Sequence, residues 1–387
     1  MKLESKMPDY QNSILNLIQS ILKYYQVKTD YPSLEWLDTI LNKKYQNVAL
    51  VIIDGMGEAL LQKLSPNGLF EKQKKQVITS VFPPTTTAAM TTYYSGKPPI
   101  ETGWIAWSQY FKEYGRAIDI LQKKDSQTGE VIDFSKTRLD FKEIMGYQTI
   151  FEQIRRKSPN IKQYEIAPSY VEKQADRLIQ AQTVEEVTDN LLSLCQKKGE
   201  KFIFSYLDQP DSLIHQFGCE AEEIKQWIKK AETSFNKMQE QLRGSNSLVI
   251  VCADHGLIDI ASYSSILDFP TLQECFSMPP CLEARTISFW IKPEKKQVFE
   301  KEFSRLFTNQ YLLYSKQEFL QTRLLGIGKK HPKIDDFLGD YIAIAISDKA
   351  IQLETYLTPI KQYSKKATHC GMTKQEMEVP CIVFEER

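Results

Sequence analysis

Four short runs of β-branched and aromatic residues constrain this chain most. They are Val48 to Ile53, Val77 to Phe82, Phe202 to Leu207 and Leu248 to Ala253, and each stops abruptly at polar residues, glycine or proline. Runs of this length and apolarity read as strands buried on both faces of a sheet, and in such sheets ligand groups gather beyond the C-terminal ends. Between the runs the apolar period turns helical. Thr183-Val-Glu-Glu186 reads as a capping box opening a helix with Val184, Val187, Leu191 and Leu194 on one face. Ile224, Ile228, Ala231, Phe235, Met238 and Leu242 form a second stripe. The alternation predicts an α/β layered sandwich.

After His255 the rhythm loosens. Pro270, Pro279 and Pro280 punctuate a loop, Thr286 to Ile291 reads as a strand, and Glu294 to Phe307 as a charged helix. Residues 258–340 are therefore expected to form an inserted cap subdomain, with 1–257 and 341–387 as the catalytic core. Tyr341 to Ile346 and Pro380 to Phe384 would return the chain to that core.

Composition narrows the function. The chain has 387 residues with 49 basic and 49 acidic side chains, so no electrostatic footprint for polymeric nucleic acid is expected. Its seven cysteines include no CxxC pair, which argues against a disulfide framework or thiolate zinc cage and fits a reducing cytoplasm. Ile14, Leu15, Leu17, Ile18, Ile21 and Leu22 recur at helical spacing rather than as a signal-peptide core. No run approaches the roughly 20 apolar residues of a membrane span. Nothing encodes an oligomeric state.

Of the four histidines, three stand in Asp211-Ser-Leu-Ile-His215, Ala253-Asp254-His255-Gly256 and Thr368-His369-Cys370-Gly371. Four-residue spacing puts Asp211 and His215 on one side of a helical turn, where they can share a metal. Asp254 and His255 can serve one ion only if the backbone turns sharply, as Gly256 permits. Asp54 ends the first run ahead of Gly55 and Gly57, where it can hold a cation or simply cap a turn. Thr85-Thr86-Thr87 precedes a helix-like stretch, Ala88 to Ser95, closed by Gly96, which would bring threonine hydroxyls to a helix N-terminus suited to phosphate. Each piece alone has an ordinary structural reading.

Taken in order, within Ile-Ile-Asp54-Gly, Phe82-Pro-Pro-Thr85-Thr86, Asp208-Gln-Pro-Asp211 and Ala253-Asp254-His255-Gly, the pieces resemble the alkaline phosphatase superfamily, in its type I phosphodiesterase and nucleotide pyrophosphatase branch. The resemblance covers about 45–257 and 340–384. It implies an α/β/α sandwich around a central, mostly parallel sheet, and two divalent ions. Asp211, His215 and His369 would hold one; Asp54, Asp254, His255 and the nucleophile Thr86 would hold the other. Thr86 has the family spacing, four residues after Phe82 and ten before Gly96, with Thr85 and Thr87 as neighbours in register. Carboxylates mixed with imidazoles suit zinc, then manganese or iron. The implied activity is hydrolysis of a small phosphodiester or pyrophosphate through a phosphothreonine. A phosphomonoesterase, a sugar-phosphate mutase or a non-catalytic phosphate-binding relative are the alternatives.

The family's aromatic residue after the nucleophile and its nearby asparagine are replaced here by Thr87 and Ala89, which leaves nucleotide specificity open. Trp104 and Trp107 are weak candidates for a leaving-group pocket. Glu283 and Arg285 read as an ion pair before substrate contacts, His331 as a surface loop residue, Cys370 as small-residue packing, and Lys72, Lys74 and Lys75 as a solvated face.

Overall fold

The 47–53 run becomes the middle of a sheet because Val48 to Ile53 are all apolar and Asn47 is satisfied internally by bonds to Cys195 O and Ser247 Oγ. Asn47–Ile53 is buried along its whole length, as are the flanking strands Lys201–Leu207 and Ser247–Cys252. Alternate side chains point to opposite faces, so complete burial requires both faces to be covered. Each fully buried aliphatic side chain there contributes roughly 1.5–3 kcal/mol. The computed structural model describes residues 3–134, 141–353 and 365–386.

The central sheet runs, in spatial order, Lys74–Thr79, Glu378–Glu386, Ser247–Cys252, Asn47–Ile53, Lys201–Leu207, Lys162–Ala167 and Arg177–Gln180. Val48 stands beside Phe202 on one side and Leu248 on the other, in parallel register. Only Glu378–Glu386 runs against the rest. The carboxyl ends of the parallel strands therefore open on one edge.

Helices form where the periodicity places them. Val184–Cys195 is capped by Thr183, whose Oγ1 accepts from Glu186 N at 3.2 Å, and it packs against Glu222–Leu242. Thr86–Ser95 ends at Gly96, at φ +69°, where a Cβ would come within 2.8 Å of Leu22 Cδ1. The edge strand is Lys74–Thr79, so Val81 and Phe82 belong to the loop that delivers Thr86. Lys72 and Lys75 are exposed, but Lys74 is not solvated: it bonds Glu58, and Glu71 at 2.8 Å.

A second sheet is antiparallel throughout. Its order is Tyr311–Ser315, Tyr341–Ala345, Thr286–Ile291, Phe276–Glu283, Ser108–Phe111, Arg116–Asp119 and Lys124–Asp125. Here the expected return of the chain to the core at 341 is corrected. Tyr341, Ala343 and Ala345 enter one apolar cluster while Ile342 and Ile344 enter another, and the slot between Thr286–Ile291 and Tyr311–Ser315 buries both faces. The chain rejoins the central sheet at Glu378. Residues 108–125, grouped by sequence with the core, also pair into the second sheet, where Ser108 faces Leu282. Alternation identifies a strand but not its partner. No helix among the described residues is long and apolar enough to cross a membrane.

Candidate active site

Asp54, Asp211, Asp254 and His255 stand beyond the carboxyl ends of central strands, while a loop carries Thr86 there and a helix His215. Asp54 follows Asn47–Ile53, Asp211 opens the Asp211–Phe217 helix after Lys201–Leu207, and Asp254 and His255 follow Ser247–Cys252. Backbone bonds tie these ends together, from Asp54 N to Leu207 O at 2.9 Å and from Asp211 N to Asp54 O at 3.1 Å. Gly256 is required by close approach rather than by a turn: a Cβ there would lie 2.1 Å from Gln375 O. His369 arrives from the other side, in the segment between Ala367–Thr368 and Lys374–Met377.

Asp54, Asp254 and His255 each place a ligand atom within 4.8 Å of the others, and so do Asp211, His255 and His369. His215 Nε2 is 3.3 Å from Asp211 Oδ2, and its ring centroid is 5.2 Å from that of His369. Thr86 Oγ1 lies 3.4 Å from Asp54 Oδ2 and 3.2 Å from His255 Nε2. Thr85 and Thr87 are buried, whereas Thr86 is half-exposed and lines a cavity of about 570 Å³. Of the three threonines, that cavity is lined by Thr86.

The three imidazoles share one tautomer. Nδ1 of His215 is 2.7 Å from Ala367 O, Nδ1 of His255 is 3.2 Å from Gly256 O, and Nδ1 of His369 is 3.2 Å from Pro84 O. A carbonyl oxygen only accepts, so each Nδ1 must donate, which leaves each Nε2 unprotonated as the potential ligand atom, although that of His215 also faces Lys365 Nζ at 2.9 Å.

The donor set fits divalent cations. Among the described residues, buried Asp54 Oδ1, Asp211 Oδ1 and Asp254 Oδ2 have no hydrogen-bond partner, an arrangement whose desolvation is offset when a cation binds. Tyr206 OH donates to Asp54 Oδ2 at 2.5 Å, and Gly55 N and His255 N donate to Asp254 Oδ1 at 3.1 and 2.9 Å. These bonds aim the remaining oxygens inward.

With only protons to balance it, the cluster is crowded. Burial, then the Asp254 charge, pushes the Asp54 carboxyl well above the usual range. Burial, then Asp54, lifts Asp211 to about 7, and burial raises Asp254 to about 7 as well. Burial, then Lys365, lowers His215 to about 3, and burial also depresses His255 and His369. Ligation needs deprotonated carboxylates. Metal affinity is therefore expected to weaken as pH falls below about 7, because Asp211 and Asp254 take up protons while the histidines stay neutral. Zinc competition titrations across that range would check this; an affinity that does not change would contradict it.

Four further residues at the site escaped the sequence reading or stood low in it. Lys365 Nζ approaches His215 Nε2 to 2.9 Å, and Tyr263 lines the cavity. Tyr206 is the penultimate residue of an apolar strand, with nothing to mark it. Glu283, from the second sheet, accepts from Trp107 N at 2.9 Å and comes within 4.0 Å of His369 Nδ1. The expected Glu283–Arg285 pair does not form, since Arg285 pairs with Glu376. Trp107 lines the cavity, whereas Trp104 donates to Met145 O and packs in the second-sheet core. Cys370 is buried and held near Thr286. His331 is half-buried rather than a free surface residue, and a Cβ on Gly103 would lie 2.7 Å from its Nδ1.

The sequence matches the family model for type I phosphodiesterase/nucleotide pyrophosphatase over residues 48–323. The chain belongs to that family. Membership makes it a phosphoryl-ester hydrolase of a group that is typically metal-dependent, with candidate ligand clusters in place. Comparison of the sequence with curated proteins finds no match. Solved structures share the fold. Murine ectonucleotide pyrophosphatase/phosphodiesterase 5, solved as an inactive variant with AMP, is 13% identical with a TM-score of 0.64, over 87% of each chain. Phosphonoacetate hydrolase from Sinorhizobium meliloti, solved with phosphonoformate, is 13% identical with a TM-score of 0.64, over 93% of each chain. The matched span of the family contains Asp54, Thr86, Asp211, His215, Asp254 and His255 but ends before His369.

Proposed function

We propose that this chain hydrolyses a phosphodiester or pyrophosphate through a phosphothreonine on Thr86, beside two divalent ions, with zinc the expected metal. The observation that carries the reading is the position of the Thr86 hydroxyl, at the first residue of a helix, on the cavity wall and within 3.4 Å of Asp54 and 3.2 Å of His255. Asp211, His215 and His369 would hold one ion; Asp54, Asp254, His255 and Thr86 the other. When bound, such ions lower the pKa of a ligated hydroxyl or water and neutralise a leaving oxygen.

The chain's own part follows from its geometry. Thr86 Oγ1 forms a bond to phosphorus as the bond to the leaving alcohol or phosphate breaks; its proton passes by way of Asp54 Oδ2 to solvent, and a leaving alkoxide takes up a proton from solvent. Water then attacks phosphorus, the Oγ1–P bond breaks, and Thr86 is regenerated. First-turn amides of the Thr86–Ser95 helix supply positive potential for the transferring oxygens. Trp107, Tyr263 and Glu283 line the space left for the remainder of the substrate.

Base recognition through position 87 is not supported, because the Thr87 side chain is buried and Ala89 carries no polar atom. AMP, present in one solved relative, and phosphonates, present in another, therefore enter as test compounds rather than as expected substrates. Aryl phosphodiester, aryl phosphomonoester, AMP, dinucleotide and phosphonoacetate should be compared with and without added zinc. Faster zinc-dependent release from the diester than from the monoester supports the reading. Preference for the monoester, or phosphoryl transfer between sugar positions without free phosphate, would replace it.

A further inference from the structure

We infer that Glu376, locked in place by Arg285, is a positioning residue that joins the two halves of the metal centre and selectively sets affinity at the half ligated by His369. The inference rests on the two-metal reading above. Arg285 comes from the turn between the Phe276–Glu283 and Thr286–Ile291 strands of the second sheet, and both it and Glu376 are fully buried. Arg285 Nε and Nη2 donate to Glu376 Oε1 and Oε2 at 2.6 and 2.8 Å.

The carboxylate does more than balance that charge. Oε1 also accepts from Gly371 N at 2.7 Å, and Oε2 from Thr373 N and Thr373 Oγ1 at 3.2 and 2.6 Å. Its bonds on the loop side thus all fall within four residues of His369. The Glu376 backbone reaches the other half-centre, because its carbonyl accepts from Gly256 N at 2.9 Å, directly after His255. One residue therefore fixes the loop that carries His369 through its side chain, and the turn behind His255 through its main chain. Gly371 is confined by the same pair, since a Cβ there would lie 2.7 Å from both Arg285 Nη2 and Glu376 Oε2.

The two Thr373 bonds complete the capping box of the Lys374–Met377 helix, whereas the bond to Gly371 N reaches beyond that helix to the residue two places after His369, which neither capping nor holding the sheets together requires. Residues that orient metal ligands typically alter affinity by about 10–100-fold when replaced. Removing one partner of a buried pair leaves an uncompensated charge, whereas replacing both by apolar residues is often tolerated. The paired variant Arg285→Met with Glu376→Met and the single variant Glu376→Asp are therefore the informative ones. The second keeps a charge opposite Arg285 but withdraws the carboxylate from the loop.

Full-length protein, stripped of metal, would be titrated with zinc against a chromophoric chelator, and the thermal unfolding of the metal-free form measured alongside. The wild type should bind in two steps. In both variants one step should weaken by about 10–100-fold while the other stays within about threefold, with turnover restored by excess zinc. Two unchanged steps in a folded variant, or two steps weakened alike in proportion to a fall in melting temperature, would overturn the inference. Should the paired variant not fold, Glu376→Asp decides by the same criteria. A wild type that binds fewer than two equivalents removes the two-metal reading itself, and the inference with it.

Discussion

Thr86→Ala is expected to lower phosphodiester turnover by at least about 10³-fold, because the proposed nucleophile is gone. Thr86→Ser keeps the hydroxyl at the same point of the helix and should retain most of the rate. Thr85→Ala and Thr87→Ala make the comparison specific, since both side chains are buried: Thr87 Oγ1 has no hydrogen-bond partner among the described residues, and Thr85 stands beside Glu283. Their effects should be confined to packing and remain small beside that of Thr86. Steady-state assays with an aryl diester, together with a trapped phosphorylated protein digested to locate the label, provide the check. Robust turnover by Thr86→Ala would eliminate the covalent step.

Asp254→Asn should have the second-largest effect, and its two consequences have opposite signs. The amide oxygen can still accept from Gly55 N and His255 N, so the turn is preserved. The other oxygen, Oδ2, is buried without a hydrogen-bond partner among the described residues, in a cluster shared with Asp54 and His255, and in the variant it becomes a neutral donor. Metal affinity and activity should fall by two orders of magnitude or more. The metal-free variant, by contrast, should be more stable than the metal-free wild type above about pH 7. Asp254 has its folded-state pKa raised from 3.8 to about 7. The stability it contributes is complete below its unfolded value and is lost as pH rises through the folded one, a loss asparagine does not suffer. The advantage should fade as pH falls toward about 4. Melting curves of metal-free protein at both ends of that range, with zinc titrations, would test it. A variant that is less stable at high pH would show that Asp254 is not electrostatically crowded.

The central sheet was legible because complete burial leaves a plain mark. A run such as Val48 to Ile53 has no polar position at which one face could meet water, so its parallel, two-sided packing follows from composition. The Thr183 and Gly96 helix ends were legible for similar reasons, since capping and left-handed backbone are local matters. Partnership between strands is not local. Tyr341–Ala345 carries the same β signal whichever sheet it enters, and the two apolar clusters on its faces decide the answer.

At the site the residue types and their order were visible, and family resemblance joined them. Lys365, Tyr206 and Glu283 carry no comparable signal. A lone tyrosine at a strand end or a glutamate after an apolar strand acquires meaning only from what stands opposite, here Asp54 for Tyr206 and His369 for Glu283. Arg285 shows the same limit, because proximity in sequence suggested Glu283 as its partner whereas the fold supplied Glu376.

By itself the sequence determined which residues can carry the chemistry and which segments must be buried, since both depend on side-chain type and short-range spacing. Tertiary structure alone decided which threonine reaches the cavity, which imidazole nitrogen is left free by a backbone carbonyl, and which carboxylate meets Arg285. Those outcomes depend on distances between elements remote in the chain, and such distances are set when two sheets and their helices close around shared apolar cores.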